Sequence, residues 1–381
     1  MIARLSRPAR IAAAALAAAS LGLTACGTGA STGSSTATAG SCPGLAEARS
    51  VVAQYSANPV GVGYDLPLTK PIPAAQRIAA IETPVPIAKA TNDNRAVAAE
   101  LLGWSVDRVV ADGTPEGPAK AMTQALAQNP NALFYSGYDP ATVREPLQQA
   151  LNREVPVVVE SVPNNTDPAI VGTVRDEQSN DVIGKLTAAF LVSDSNCTAN
   201  VEAWTVPSQP ILTTYQASLE KWLGQWCPEC RMTVNDYEFS DIGTNVPGMV
   251  VSALQTNPDA TYVIFGYGES TLGVDAALRT AGLADQVKVG GAIPGPDQFE
   301  GLRTGRDAFW ATDSGPALAW KETDLMIRAM TGDDLAGAQQ APIPAQLLTP
   351  ETVGGAVFDA NGYWIGYPGI DEAYRAMWRI G

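Results

Sequence analysis

The chain has 381 residues, enough for two ordinary domains, and its 46% hydrophobic and 17% charged content is that of a folded rather than a disordered chain. A formal net charge of −15 repels nucleic acid and anionic lipid surfaces, so neither is an expected partner. The absence of histidine removes Ser-His and Cys-His catalytic pairs, histidine metal ligation and histidine pH switching together.

Residues 1–25 read as an export signal. Arg4, Arg7 and Arg10 supply a positive end, and Ile11 to Leu23 form an Ala/Leu-rich core too short to span a bilayer as a mature helix. Leu23-Thr24-Ala25-Cys26 resembles the bacterial lipobox, in which a cysteine after small residues receives diacylglycerol and becomes the new N-terminus. Residues 26–41 then follow as a Gly/Ser/Thr/Ala run with no apolar period, expected to be a flexible tether. The address is therefore extracytoplasmic, on the outer face of the cell membrane and anchored there by lipid at Cys26. Residues 42–75 are read as an N-terminal extension before the first regular element.

Four further cysteines, Cys42, Cys197, Cys227 and Cys230, make an even set that favours disulfides outside the cytoplasm. Cys227-Pro228-Glu229-Cys230 has the spacing of a redox or zinc half-site. With no second such pair and no histidine it cannot complete a zinc shell, so a local disulfide staple is the preferred reading and no metal is expected. Cys42 with Cys197 follows by elimination.

From residue 76 onward, short apolar runs alternate with amphipathic helical stretches. Ile78–Ile81, Leu133–Tyr135, Val155–Val159, Ile170–Val174, Val201–Val206, Tyr262–Phe265 and Phe309–Thr312 read as strands covered on both faces. Leu219, Trp222, Leu223 and Trp226 are spaced i, i+3, i+4, i+7, and Val246, Met249, Val250, Ala253 and Leu254 follow the same helical logic. Such alternation predicts an α/β protein with doubly wound parallel sheets. Ala125-Leu126 through Asn129-Pro130-Asn131-Ala132 is echoed by Ala253-Leu254 through Asn257-Pro258-Asp259-Ala260. Each copy enters an apolar strand and leaves it at a Gly-Tyr pair, Gly137-Tyr138 and Gly266-Tyr267. Two domains of like topology would put both tyrosines at carboxyl strand ends, where ligands of such sheets bind.

An ordered set of segments carries a family resemblance. Ala98–Trp104 leads into Val109–Gly113, then Gln124–Pro130 and Ser136–Pro140, then Pro146–Ala150 before Val155–Val159. Leu272–Gly282 and Val289–Gly291 continue the order. Over roughly residues 76–335 the chain resembles the type 1 periplasmic binding proteins, the ribose- and galactose-binding fold shared with the effector cores of sugar repressors. The resemblance implies two doubly wound parallel-sheet lobes joined by a three-strand hinge, with solute trapped in the cleft between them. Read onto this chain, lobe 1 is 76–174 plus 314–345 and lobe 2 is 175–313 plus 346–381. It also implies an acid after the third strand, where Asp139 stands. Tyr267-Gly268 replaces the usual Asn-Asp, and Gly290-Gly291-Ala292 the usual Gly-Phe-Asp, so two groups that grip sugar hydroxyls are missing.

The expected ligand contacts are Glu82, Thr83, Tyr138, Asp139, Arg175, Trp204, Gln209, Tyr267 and Asp313. Tyr138 and Tyr267 lie in loops and Trp204 near a strand end, where an aromatic face can stack on a solute or simply pack in the core. Arg175 can bind a ligand oxygen or lock the hinge. No catalytic pair and no cofactor site is read, since only Ser-Lys or paired-carboxylate schemes survive without histidine and no motif for either occurs. The expected function is that of a monomeric solute-binding lipoprotein serving the membrane permease of an ABC importer, with a sugar or sugar-like solute. A lipoprotein presenting its ligand to a membrane signalling receptor is the alternative.

Overall fold

The structure is a computed structural model that describes residues 41–163 and 165–381. The export signal, Cys26 and all of the tether but Ser41 lie outside the described residues.

In chain order the elements are α1 (Leu45–Tyr55), β1 (Arg77–Glu82), α2 (Pro86–Leu101), β2 (Ser105–Val110), α3 (Gly117–Leu126), β3 (Ala132–Ser136), α4 (Arg144–Asn152), β4 (Val157–Glu160) and β5 (Ile170–Val174). Then come α5 (Glu177–Asp194), β6 (Asn200–Thr205), α6 (Pro210–Trp226), β7 (Arg231–Asp236), α7 (Val246–Thr256), β8 (Tyr262–Phe265), α8 (Val274–Ala281), β9 (Lys288–Ala292), α9 (Pro296–Thr304) and β10 (Phe309–Asp313). The chain ends with α10 (Gly315–Thr331), α11 (Leu335–Gln340), β11 (Ala345–Leu348) and α12 (Ile370–Trp378).

Two sheets result. The first is five-stranded, all parallel, in the order β2-β1-β3-β4-β5. The second runs β11-β10-β9-β8-β6-β7 and is parallel except for β11, which pairs antiparallel to β10. Leaving β11 aside, each sheet has its first-entered strand second from the edge and its third-entered strand beside it, so β3 and β8 are equivalent and the Gly-Tyr echo falls at matching strand ends. Each sheet is covered on both faces by separate apolar clusters. That double cover explains why the central strands read as continuous apolar runs. The doublet Gly290-Gly291 is required by close approach: Gly291 has φ +144°, and a Cβ there would lie 1.9 Å from the Phe265 carbonyl oxygen.

Three connections carry the chain between lobes within the expected frame: Val174 to Glu177, Asp313 to Gly315, and the segment from α11 to β11. Two more come from the ends. Helix α1 packs on α5 in the second lobe, and the segment after it docks on the first lobe through Val62 and Leu68. Helix α12 likewise packs in the first lobe's core, where the Trp378 ring stacks on Trp320 at 5.5 Å. This corrects the assignment of all of 346–381 to the second lobe: β11 belongs there, but α12 does not. Asp324 draws both terminal segments in, accepting from the Tyr64 hydroxyl (2.8 Å), Trp378 Nε1 (2.9 Å) and Arg328 Nε (2.7 Å) while fully buried. Cys42–Cys197 and Cys227–Cys230 are disulfides, with Cα separations of 5.8 and 5.3 Å, the pairing reached by elimination.

Candidate functional site

The carboxyl ends of both sheets converge on the interlobe connections. In the first lobe Glu82 ends β1, buried, and accepts from Asn92 Nδ2 at 2.9 Å. Thr83 follows it, and its hydroxyl donates to the Ser136 carbonyl at the end of β3 (3.1 Å). Tyr138 is half-buried, and burial raises its hydroxyl pKa, with nearby Thr83 opposing the rise and Asp112 adding to it. Asp139 is exposed and accepts from the Ala141 amide (2.8 Å), so its carboxylate shapes the rim while keeping solvent contact. The sequence thus brings Glu82, Thr83, Tyr138 and Asp139 to one edge.

At the hinge, Arg175 leaves β5 with φ +49°, an unusual backbone for a non-glycine residue. Its guanidinium explains why it is held there. Nη1 donates to Glu160 Oε1 (2.7 Å), while Nε (2.8 Å) and Nη2 (2.5 Å) donate to the two oxygens of Asp313. Burial alone would lower the arginine pKa, but the pull of Asp313 and then Glu160 outweighs it and raises it. Glu160 ends β4 and Asp313 ends β10, so one side chain ties strand ends of both sheets at two crossings. Of the two readings open to Arg175, the ion pair is the contact formed.

A second buried pair lies next to the first. Arg95 on α2 donates to Glu322 on α10 and to Asn92, and stands 4.6 Å from the Phe134 ring centre. Glu322 is fully buried, and burial pushes its carboxyl up to about 7, with Arg95 pulling down and Glu160 pushing up. Its neighbour Lys321 is pushed down to about 8 by burial and donates to the carbonyls of Gln339 (3.2 Å) and Ala341 at the third crossing. Glu82, Asn92, Arg95 and Glu322 therefore form a continuous polar line from the cleft edge to the hinge, and both arginines are committed to carboxylates.

In the second lobe the predicted residues separate. Trp204 is 2% exposed, stacked over Phe265 at 6.0 Å, and sits in the core. Gln209 is half-buried just before α6, and the adjacent Pro210 joins Tyr138, Asp139, Ser161 and Asp167 around an interlobe cavity of about 600 Å³. A larger one of about 960 Å³ adjoins it, sharing Val162 and Asn165 and reaching Thr213 and Thr214 of α6. Ligand pockets span about 300–1,000 Å³. Tyr267 is buried, meets Phe239 edge-to-face at 5.6 Å, and donates from its hydroxyl to Glu269 (2.6 Å). Burial raises the half-buried Glu269 carboxyl, with the Tyr267 bond lowering it. Burial, and after it the Glu269 carboxylate, pushes the Tyr363 hydroxyl up to about 12.

Glu160, Glu269, Tyr363 and the Arg95–Glu322 pair escaped sequence reasoning. Glu160 carries a usable signal, an acid closing an apolar strand run; Glu269 stands two residues past Tyr267. Among the described residues, buried side-chain atoms without a hydrogen-bond partner include Trp204 Nε1 and Thr205 Oγ1 at the end of β6 and Glu322 Oε1 at the hinge. Carboxylates, amides and aromatic faces in this arrangement can accept hydrogen bonds from hydroxyls and stack on an apolar ring face. Among the described residues no helix is long and apolar enough to cross a membrane.

No family model matches the sequence, and no curated protein matches it. Solved structures do match in fold. A 5-methylthioribose transporter solute-binding protein from Thermotoga lettingae, in complex with 5-methylthioribose, superposes with a TM-score of 0.68 at 17% identity, covering 82% of this chain and 99% of its own. A glucose-galactose-binding protein from Geobacillus stearothermophilus gives 0.65 at 15% identity, covering 73% and 99%. An ABC transporter periplasmic solute-binding protein from Actinobacillus succinogenes with bound D-allose gives 0.64 at 15%, covering 75% and 100%. With two parallel-dominated sheets of matching strand order, joined at their carboxyl ends by a multi-strand hinge, the chain has the fold of the type 1 periplasmic binding proteins.

Proposed function

We propose that the chain is the extracytoplasmic solute receptor of an ABC-type importer, held to the membrane by lipid at Cys26, and that it traps a sugar or sugar-like solute between its lobes. The convergence of strand ends from both sheets on Arg175 carries the reading, because it puts the polar edge of each lobe beside the connections about which lobes of this fold close. The solutes bound by the fold's neighbours support the sugar-like class. Glu82, Thr83, Tyr138 and Asp139 would meet the solute from the first lobe, and Gln209, Tyr267 and Glu269 from the second. Arg175 and Asp313 serve as the hinge lock, and Trp204 as core. The output is capture and delivery to a permease, without chemistry.

The test is a panel of neutral sugars and polyols, including D-allose, D-glucose and 5-methylthioribose, read by thermal shift and small-angle scattering. A binding solute should raise the melting temperature, since it binds only the folded form, and should shrink the radius of gyration as the lobes close. Stabilisation with an unchanged radius would contradict capture by closure.

A further inference from the structure

Two disulfides in the second lobe stand close enough to exchange. The sulfurs of Cys42, Cys197 and Cys227 all lie within 4.8 Å of one another, although Cys227 is bonded to Cys230 and not to either of the others. Cys227 Sγ is also 3.5 Å from the Cys197 carbonyl oxygen. Burial separates the members. Cys227 is fully buried and Cys197 nearly so, at 0% and 7% exposure, whereas Cys42 and Cys230 are partly exposed. The scaffold holds the two buried sulfurs: Cys227 caps α6 and donates its amide to the Leu223 carbonyl (2.8 Å), and the Cys197 amide donates to the Val192 carbonyl at the end of α5 (3.1 Å).

We propose that Cys227-Pro228-Glu229-Cys230 is a thiol–disulfide exchange site that opens the Cys42–Cys197 bond when an external dithiol arrives. A thiolate of the dithiol attacks the accessible Cys230 sulfur, forming a mixed disulfide and expelling the Cys227 thiolate. The Cys227 thiolate then attacks Cys197 Sγ. A Cys197–Cys227 bond forms, the Cys42–Cys197 bond breaks, and Cys42 leaves as thiolate and takes a proton from water. The dithiol's second thiol resolves the mixed disulfide, so that the reductant ends as a disulfide and the protein gains thiols at Cys42 and Cys230. Cys42 is the leaving group because Cys197 and Cys227 are both fixed between helices of one core, whereas Cys42 precedes α1 and belongs to the incoming N-terminal segment. Exchange removes the covalent tie between that segment and the second lobe, leaving α1 held by packing through Ala48 and Val51, by the Gly44 amide on the Trp226 carbonyl (3.0 Å), by Arg49 donating to Asn196 Oδ1 (3.2 Å) and by the Lys185–Glu47 ion pair (3.6 Å). The natural reductant this chemistry requires is an extracytoplasmic dithiol oxidoreductase.

The full oxidised chain is treated with substoichiometric dithiothreitol, quenched with N-ethylmaleimide at intervals, and mapped by peptide mass spectrometry without reduction. The expected two-thiol species carries label on Cys42 and Cys230 and a Cys197–Cys227 cross-link. Label on Cys227 and Cys230 with Cys42–Cys197 intact overturns the proposal, as does label on Cys42 and Cys197 with Cys227–Cys230 intact. The variant Cys230→Ser supplies an independent reading, because it begins with one thiol more than wild type, at Cys227. Label on Cys42 supports exchange, and label confined to Cys227 overturns it; if the variant fails to fold, the wild-type map decides alone.

Discussion

Replacing Arg175 by methionine should destabilise the protein more than any other single hinge change. The guanidinium is buried and makes three charge-assisted hydrogen bonds, one to Glu160 and two to Asp313. Methionine fills much of the same space but leaves two carboxylates facing each other without a cation. Breaking a buried ion pair in this way typically costs about 3–5 kcal/mol. At about 1.4 kcal/mol per factor of ten, the ratio of unfolded to folded protein should rise by about two to four orders of magnitude. At about 2 °C per kcal/mol for a chain of this size, the melting temperature should drop by about 6–10 °C. The assay is thermal unfolding followed by circular dichroism at pH 8. Adding Glu160→Gln and Asp313→Asn should recover most of the loss, since it removes the uncompensated charges. A melting temperature within about 2 °C of wild type at pH 8, or no recovery in the triple variant, would refute the hinge lock.

Glu322→Gln tests the second buried pair. Glu322 is shifted from 4.5 to about 7 by burial, so its contribution to stability is present below about pH 4.5 and is lost as pH rises through 7. Urea unfolding from pH 4.5 to 7.5 should therefore show the stability difference moving in the variant's favour as pH rises; a constant difference would mean that Glu322 does not titrate there. Tyr138→Ala should weaken solute binding about tenfold while moving the melting temperature of the unliganded protein by less than about 2 °C. Trp204→Ala should instead cost about 3–5 kcal/mol of folding stability, as truncation of a buried aromatic does, and calorimetry with the solute decides between the two kinds of effect. Cys26→Ser should release the protein from the membrane fraction or leave it unprocessed, and unchanged membrane partition would sink the lipid-anchor proposal.

Central strands were legible because burial on both faces leaves no choice of composition: Ile78–Ile81, Val157–Val159 and Tyr262–Phe265 read as apolar runs and are strands. Edge strands were not. Strand β7, Arg-Met-Thr-Val-Asn-Asp, is mostly exposed or half-exposed, and its polar composition reads as loop. Helix α10 misleads in the opposite sense. Lys321, Glu322, Asp324 and Arg328 suggest a solvated face, yet every residue from Pro316 to Arg328 is buried, because α2, α12 and the β4–β5 edge enclose it; Glu322, Asp324 and Arg328 form ion pairs inside and Lys321 donates to backbone carbonyls. That burial was invisible to local pattern, as was the Arg95–Glu322 pair, whose members are far apart in sequence. Among the site residues, the Gly-Tyr echo located equivalent strand ends but could not show that Tyr267 turns inward against Phe239 and Glu269 while Tyr138 stays at the rim of a cavity. Trp204 illustrates the same ambiguity. An aromatic at the end of a buried strand has one composition signal and two possible faces.

Where the solute lies is decided by a crystal structure of the protein purified from its own host without added ligand, or soaked with a solute from the thermal-shift panel. Density is expected between the two sets of carboxyl strand ends, in contact with Tyr138 or Asp139 on one side and with Gln209, Tyr267 or Glu269 on the other. Density on an outer face of a single lobe, remote from both Gly-Tyr loops, would contradict capture between the lobes while leaving the fold untouched.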